Sequence, residues 1–144
     1  VIRHVGLSNF TPELLDEARD VLDAPIHAHQ VEMHPLLPQT ELRDYAETHD
    51  HTLVAYCPLA RGAVLDVPEI REVADRHDVS PAQASIAWIA AKVAVPIPRS
   101  SDSAHIHENH DALSLSLTDD DVATIDAIER RERVVDFANA AWNR

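Results

Sequence analysis

Val5-Gly6-Leu7-Ser8-Asn9-Phe10-Thr11-Pro12 is the stretch on which the fold turns. The apolar run from Ile2 to Leu7 reads as a buried strand that breaks into a polar Ser8-Asn9 corner. A helix starts at once, with Thr11 as its hydroxyl cap and Pro12 in its first turn. A strand passing through a polar corner into a helix suits a parallel α/β protein, where ligands gather at the carboxyl ends of strands. Ser8 and Asn9 then stand where a ligand belongs, and hydroxyl plus carboxamide offer donors and acceptors to a planar amide. Both are also ordinary turn residues, so the corner alone leaves a ligand site and a satisfied turn equally open.

Outward from that corner the alternation continues. Leu14, Leu15, Ala18 and Leu22 fall at helical spacing, and Pro25 ends the unit. A second strand runs from Ile26 to Met33, followed by a stiff loop, His34-Pro35-Leu36-Leu37-Pro38, in which two prolines forbid helix. Thr40 to Asp50 reads as a helix with Leu42, Tyr45, Ala46 and His49 on one face. Thr52 to Tyr56 reads as the third strand, with Cys57 to Gly62 as its loop. Pro68 to His77 is a helix turning Ile70, Val73 and Ala74 inward. Ser80-Pro81-Ala82-Gln83 is a capping box opening an almost wholly apolar helix, Ala82 to Lys92. Val93 to Ile97 is the fourth strand and Ser103 to His110 a short helix. Thr118 with Asp119, Asp120 and Asp121 caps a last helix that turns Val122, Ile125 and Ile128 inward. The tail from Val134 to Arg144 reads as surface coil.

Short apolar strands separated by helices predict parallel pairing within one domain, residues 1–144. Four such units make an open sheet or half of a closed barrel, and a half barrel leaves both outer strands unpaired. The 144 residues suit either one domain or half of a barrel of about 250. No apolar run approaches the ~20 residues of a membrane span, and no charged-then-apolar leader is present. The chain begins with Val1 and runs directly into a strand-like stretch, which we read as a missing upstream segment.

Cys57 is the only cysteine, so a disulfide scaffold within one chain is excluded and a cytoplasmic location is the default. The net charge of -13, with Lys92 the single lysine, disfavours nucleic acid, which demands a basic face. The carboxylates are interleaved with apolar helical residues rather than gathered in a tail. A folded acidic surface of this kind repels itself at low salt and is steadied by screening, which points to a halophilic source. A stability maximum in dilute buffer would contradict that expectation.

The strand ends are Ser8-Asn9, Gln30, Tyr56 with Leu59 to Gly62, and Arg99-Ser100-Ser101. Gathered at one rim, they suit a long, flat, anionic ligand. Amide and hydroxyl groups hold a carboxamide, Tyr56 stacks on a ring, and Arg99 with two hydroxyls and the following helix's amino end holds phosphate.

The motifs Gly6-Leu7-Ser8-Asn9-Phe10, Gln30-Val31-Glu32-Met33-His34-Pro35, Tyr56-Cys57-Pro58-Leu59-Ala60-Arg61-Gly62 and Ile97-Pro98-Arg99-Ser100, with Glu108-Asn109 beyond, resemble the aldo-keto reductases. They occur in that family's order and cover nearly the whole chain. The tail from Val135-Asp136-Phe137 to Trp142-Asn143 is similar to the bacterial and archaeal members that reduce keto-gluconates and small aldehydes. The resemblance implies the second half of a (β/α)8 TIM barrel, NADP(H) or NAD(H) as cofactor, and a small carbonyl substrate. It also implies a partner, the missing N-terminal half barrel. Ser8, Asn9 and Gln30 would bind the nicotinamide carboxamide, and Tyr56 would stack on the ring. Cys57, Leu59, Ala60, Arg61 and Gly62 would line the pyrophosphate. Arg99 and Ser100 would hold the phosphate on the adenosine ribose, and Glu108 and Asn109 would meet the adenine.

Two departures bear on this. Arg99 stands where the family usually has lysine, keeping the charge and adding a bidentate fork. His105 stands where many members carry an arginine that clamps the adenosine phosphate, which loosens the implied preference for NADPH over NADH. The family's tyrosine general acid and its lysine, aspartate and histidine partners belong to the first half of the barrel, and their motifs are not in this sequence. Tyr45 sits in mid-helix, Tyr56 is the stacking position and Lys92 ends a helix at the opposite rim, so this chain alone is expected not to reduce a carbonyl.

The pairs His27/His29 and His49/His51, and the run His105, His107, His110, invite a metal reading. They belong to different units, so they read as surface or strand-end residues. Cys57 lacks a neighbouring base and reads as a lining residue, Trp88 as core, and Phe10 as the plug between strand and helix. Three functions remain: the cofactor-binding half of an NAD(P)H-dependent carbonyl reductase, a non-catalytic nucleotide-binding module, or a half barrel that pairs with itself or another half.

Overall fold

Proline and hydroxyl caps cut the chain into strands and helices, and the computed structural model describes residues 2–143 of it. In order the elements are β1 (Val5–Ser8), α1 (Pro12–Val21), β2 (Ile26–Glu32), α2 (Thr40–Thr48), β3 (Thr52–Tyr56), α3 (Pro68–Arg76), α4 (Pro81–Ala91), β4 (Ala94–Pro96), α5 (Ser103–Asp111) and α6 (Asp119–Asp126). The strands pair in parallel in the order β1-β2-β3-β4. Each crossover therefore moves one strand onward, whereas a doubly wound sheet reverses its order partway. This is the repeat of a (β/α)8 barrel, and four strands are half of one.

Register divides the sheet into two faces. Leu7, His29, Leu53 and Ala94 stand side by side on the face that packs against helices. Ser8, Gln30, Val54 and Val95 form the neighbouring row on the other face, where Ser8 and Gln30 are exposed and Val95 is 48% exposed. α4 is buried from Ala84 to Ile89 without a break, as its uniform apolarity demands. Trp88 is fully buried within it and donates its indole N–H to Asp126 Oδ1 at 2.9 Å. Ile70, Val73 and Ala74 of α3 are buried as their spacing predicts.

Caps fix the helix starts. Thr11 accepts from the Leu14 N–H, and Ser80 with Gln83 forms a reciprocal capping box. Thr118 and Asp121 form a second box. The buried Asp121 carboxylate also meets Arg76 Nη1 at 2.8 Å and His77 Nε2 at 2.7 Å, tying α6 to α3.

Several boundaries move. β1 begins at Val5 rather than Ile2, which is 82% exposed. β4 begins at Ala94, because Val93 turns left-handed (φ 60°) as the chain leaves α4. α2 stops at Thr48, leaving His49 exposed rather than on the inner face. Within α1 only Leu15 is fully buried; Leu14, Ala18 and Leu22 are half-buried. Val122 of α6 is likewise half-buried. Past β3, where the chain reads as open loop to Gly62, 3-10 turns run over Ala60–Asp66 with a kink at Arg61 and Gly62.

The tail is the largest correction. It packs back onto β2, because the fully buried Glu32 carboxylate needs donors that the sheet cannot supply. The backbone N–H groups of Val134 and Val135 donate to it at 2.7 and 3.0 Å, and His34 Nε2 lies 2.9 Å away. Arg133 stacks over Trp142 at 4.0 Å, and Ala140 is buried. Arg144 lies outside the described residues. Among the described residues no helix is long and apolar enough to cross a membrane.

Candidate functional site

The polar corner after β1 is built by one unusual backbone torsion. Asn9 is left-handed (φ 60°), a conformation that asparagine tolerates better than most residues. Its N–H and the Ser8 hydroxyl both donate to the Gln30 carbonyl, at 2.9 and 3.0 Å. The Asn9 side chain crosses the rim and accepts the Tyr56 hydroxyl at 3.0 Å. Register places Gln30 beside Ser8 on the uncovered sheet face, with its side chain exposed. Ser8, Asn9, Gln30 and Tyr56 thus come from three strand ends into one hydrogen-bonded group. Burial pushes the Tyr56 phenol above its ordinary pKa, with the Glu32 carboxylate adding to it, so the hydroxyl stays a donor.

The loop after Tyr56 stores strain. Cys57 (φ 53°), Ala60 (47°), Arg61 (52°) and Gly62 (97°) are all left-handed. Such torsions cluster at ligand clamps, and only glycine adopts the last of them without strain. Ala60 is buried, Cys57, Leu59 and Gly62 are half-buried, and Arg61 is exposed.

The third group lies beyond β4. Ser100 and Asn109 line a cleft of about 280 Å³ together with Pro96, Pro98, Ile106 and His110. Arg99 and His105 are exposed, while Glu108 and Asn109 are half-buried on α5. One expectation needs correcting here: the amino end of α5 is already occupied. Asp102 caps it, its Oδ1 accepting from the Ala104 and His105 N–H groups at 2.9 and 3.1 Å. Those backbone hydrogen bonds hold the carboxyl below its usual range. The Ser100 hydroxyl is turned onto the Asp102 backbone, accepting its N–H at 3.1 Å. Of the side chains read as phosphate ligands, Arg99 and Ser101 form neither hydrogen bond nor ion pair among the described residues, whereas Ser100 is engaged.

The histidine pairs do not behave as pairs. His27 is exposed and stacks on His4, whereas His29 is fully buried, against the expectation of a strand-end residue. His49 is exposed and His51 half-buried. The sequence reading also missed Glu32, Asp102 and His29 as structural determinants of the rim. Asp102 was legible as an N-cap; the burial of the other two carries no local signal.

The family model described as "Aldo/keto reductase family" matches residues 1–130. Glyoxal reductase of Bacillus subtilis is 37% identical over 133 residues, which are 92% of this chain and 48% of that protein. The aldose reductase of Schistosoma japonicum superposes with a TM-score of 0.85 at 27% identity, over 90% of this chain and 42% of that one. The silkworm (Bombyx mori) aldo-keto reductase AKR2E5, solved in complex with NADPH, gives 0.82 at 25% identity, covering 91% and 43%. This chain spans about half the length of the curated relatives it matches.

Proposed function

The chain belongs to the aldo/keto reductase family, and from that premise we propose that it is the cofactor-holding half of an NAD(P)H-dependent reductase of aldehydes and ketones. The observation that carries this reading is the joining of Ser8, Asn9, Gln30 and Tyr56 by hydrogen bonds at one rim. Bound there, the nicotinamide would supply the hydride. Ser8, Asn9 and Gln30 orient its carboxamide, and the Tyr56 ring backs one face so that the other is turned to substrate. The left-handed residues Cys57, Ala60, Arg61 and Gly62 would turn the backbone along the pyrophosphate. Arg99, His105, Glu108 and Asn109 surround the adenosine end.

Proton delivery to the carbonyl is assigned to a partner half barrel. Tyr45 lies on the helix side, its hydroxyl donating to Asp16 at 2.5 Å and accepting from Arg19 Nε at 3.2 Å. Lys92 is engaged with Asp126. The row Ser8-Gln30-Val54-Val95 and the outer edges of β1 and β4, unpaired among the described residues, favour such a partner, and they also support a second reading, a non-catalytic nucleotide-binding half barrel that pairs with another half. The two readings separate in one assay. NADPH oxidation with small aldehydes is measured for the chain alone and for the chain joined to the first four strand–helix units of a relative. Turnover only when joined is expected; turnover by the chain alone, or by neither, overturns the proposed division of roles.

A further inference from the structure

His29 is fully buried on the helix-facing side of β2, beside Leu7 and Leu53, and the cofactor reading gives it no role. Its Nε2 accepts the backbone N–H of Phe10 at 3.1 Å. That amide has no other natural partner. Asn9 has swung the chain out of the ladder, and Thr11 begins the next helix only as its cap. Without an acceptor from the core layer, the Phe10 N–H would be a part-buried orphan.

The bond fixes the tautomer. A backbone N–H can only donate, so Nε2 carries the lone pair and Nδ1 the proton, and the buried Nδ1 has no partner among the described residues. An unsatisfied imidazole N–H inside an apolar layer is a cost that leucine would avoid. His51, edge-on at 6.1 Å, offers no relief: its Nδ1 faces Arg19 Nη2 at 3.2 Å, and its own Nε2 is buried and unpartnered. What His29 supplies in return is the Phe10 anchor.

We infer that His29 is a positioning residue, fixing the Ser8-Asn9-Phe10 corner for the nicotinamide carboxamide from the far side of the sheet. The inference rests on the cofactor reading above. One dipeptide, His29-Gln30, then holds three successive residues: the Gln30 carbonyl takes Ser8 and Asn9, and the His29 ring takes Phe10. The Gln30 side chain is left on the open face for the ligand. The corner is held along the edge of β2 by a backbone carbonyl and from the helix-facing side by the His29 ring, and Asn9 carries that placement on to Tyr56.

The test compares His29→Leu, which removes the acceptor, with His29→Gln, which keeps one. Calorimetric titration uses NADPH and, separately, adenosine 2′,5′-bisphosphate, which lacks the nicotinamide end. His29→Leu is expected to weaken NADPH about tenfold and leave the bisphosphate within about twofold, with His29→Gln recovering most of the loss. A purely structural histidine would weaken both ligands alike or neither, and either pattern overturns the inference while leaving the cofactor reading in place. Wild-type chain that binds neither ligand overturns the cofactor reading itself, and this inference with it. Should His29→Leu fail to fold, amide hydrogen exchange at Phe10 in the wild type decides: protection is expected, and free exchange overturns the anchor.

Discussion

Tyr56 donates its hydroxyl to Asn9 Oδ1 at 3.0 Å, joining the end of β3 to the corner after β1 across the whole width of β2. The bond depends on the left-handed torsion of Asn9, which turns that side chain along the rim. Tyr56→Phe keeps the stacking ring and loses the bond. It is expected to weaken NADPH by about 1 kcal/mol, roughly fivefold, in a calorimetric titration. Tyr56→Ala loses the ring as well and is expected to cost about 1–3 kcal/mol beyond that, by analogy with base–aromatic stacking.

Asp102 bears on the choice between NADPH and NADH. Its carboxylate occupies the α5 amides that a ribose phosphate would use, and it puts a negative charge at the helix end that follows Arg99-Ser100-Ser101. Asp102→Asn retains a cap and removes the charge. The ratio of NADPH to NADH affinity is expected to rise about tenfold, the order of one like-charge repulsion relieved. An unchanged ratio would place the phosphate elsewhere.

Glu32 holds the tail. Its carboxylate receives the Val134 and Val135 amides, with Arg133 at 3.9 Å. Glu32→Gln replaces one acceptor oxygen by an amide that must face donors. It is expected to lower unfolding stability by about 2–3 kcal/mol and to speed amide exchange at Val134 and Val135 before any other element.

Acid should unfold the chain in two stages. Burial, and then the nearby His51, pushes His29 from its ordinary 6.5 down to about 4. Between those values the unfolded chain binds the proton and the folded chain refuses it, so stability falls as pH drops from 6.5 towards 4, by up to about 3 kcal/mol. Asp121 has the opposite history. Burial raises it, but His77, Thr118 and Arg76 outweigh that and hold it at about 2. Its contribution is present above the ordinary 3.8 and is lost as pH falls from there towards about 2. Denaturant titrations across this range should show His29→Leu shrinking the upper stage, to which burial of His34 and His51 also contributes, and leaving the lower one unchanged.

What local chemistry dictates, the sequence shows. Thr52–Tyr56 is bounded by turn residues and matches its predicted strand to the residue. Ser80-Pro81-Ala82-Gln83 places the start of α4, because cap and proline act within a single turn. The candidate rim residues are legible for the same reason: each follows a strand whose end is marked. What the sequence conceals depends on distance. Glu32 meets Val134 across 102 positions, so neither end announces the clasp. His27 and His29 share a strand face, yet only the second lies beneath the helices, a matter of depth along the strand that alternation cannot express.

Titration of NADPH into the folded chain in molar KCl asks whether the strand-end rim is a site for a nicotinamide dinucleotide. Saturable binding at one site per chain, weakened by Tyr56→Ala, is expected of such a site. A flat titration from a chain that still unfolds cooperatively, or binding indifferent to Tyr56, would contradict it.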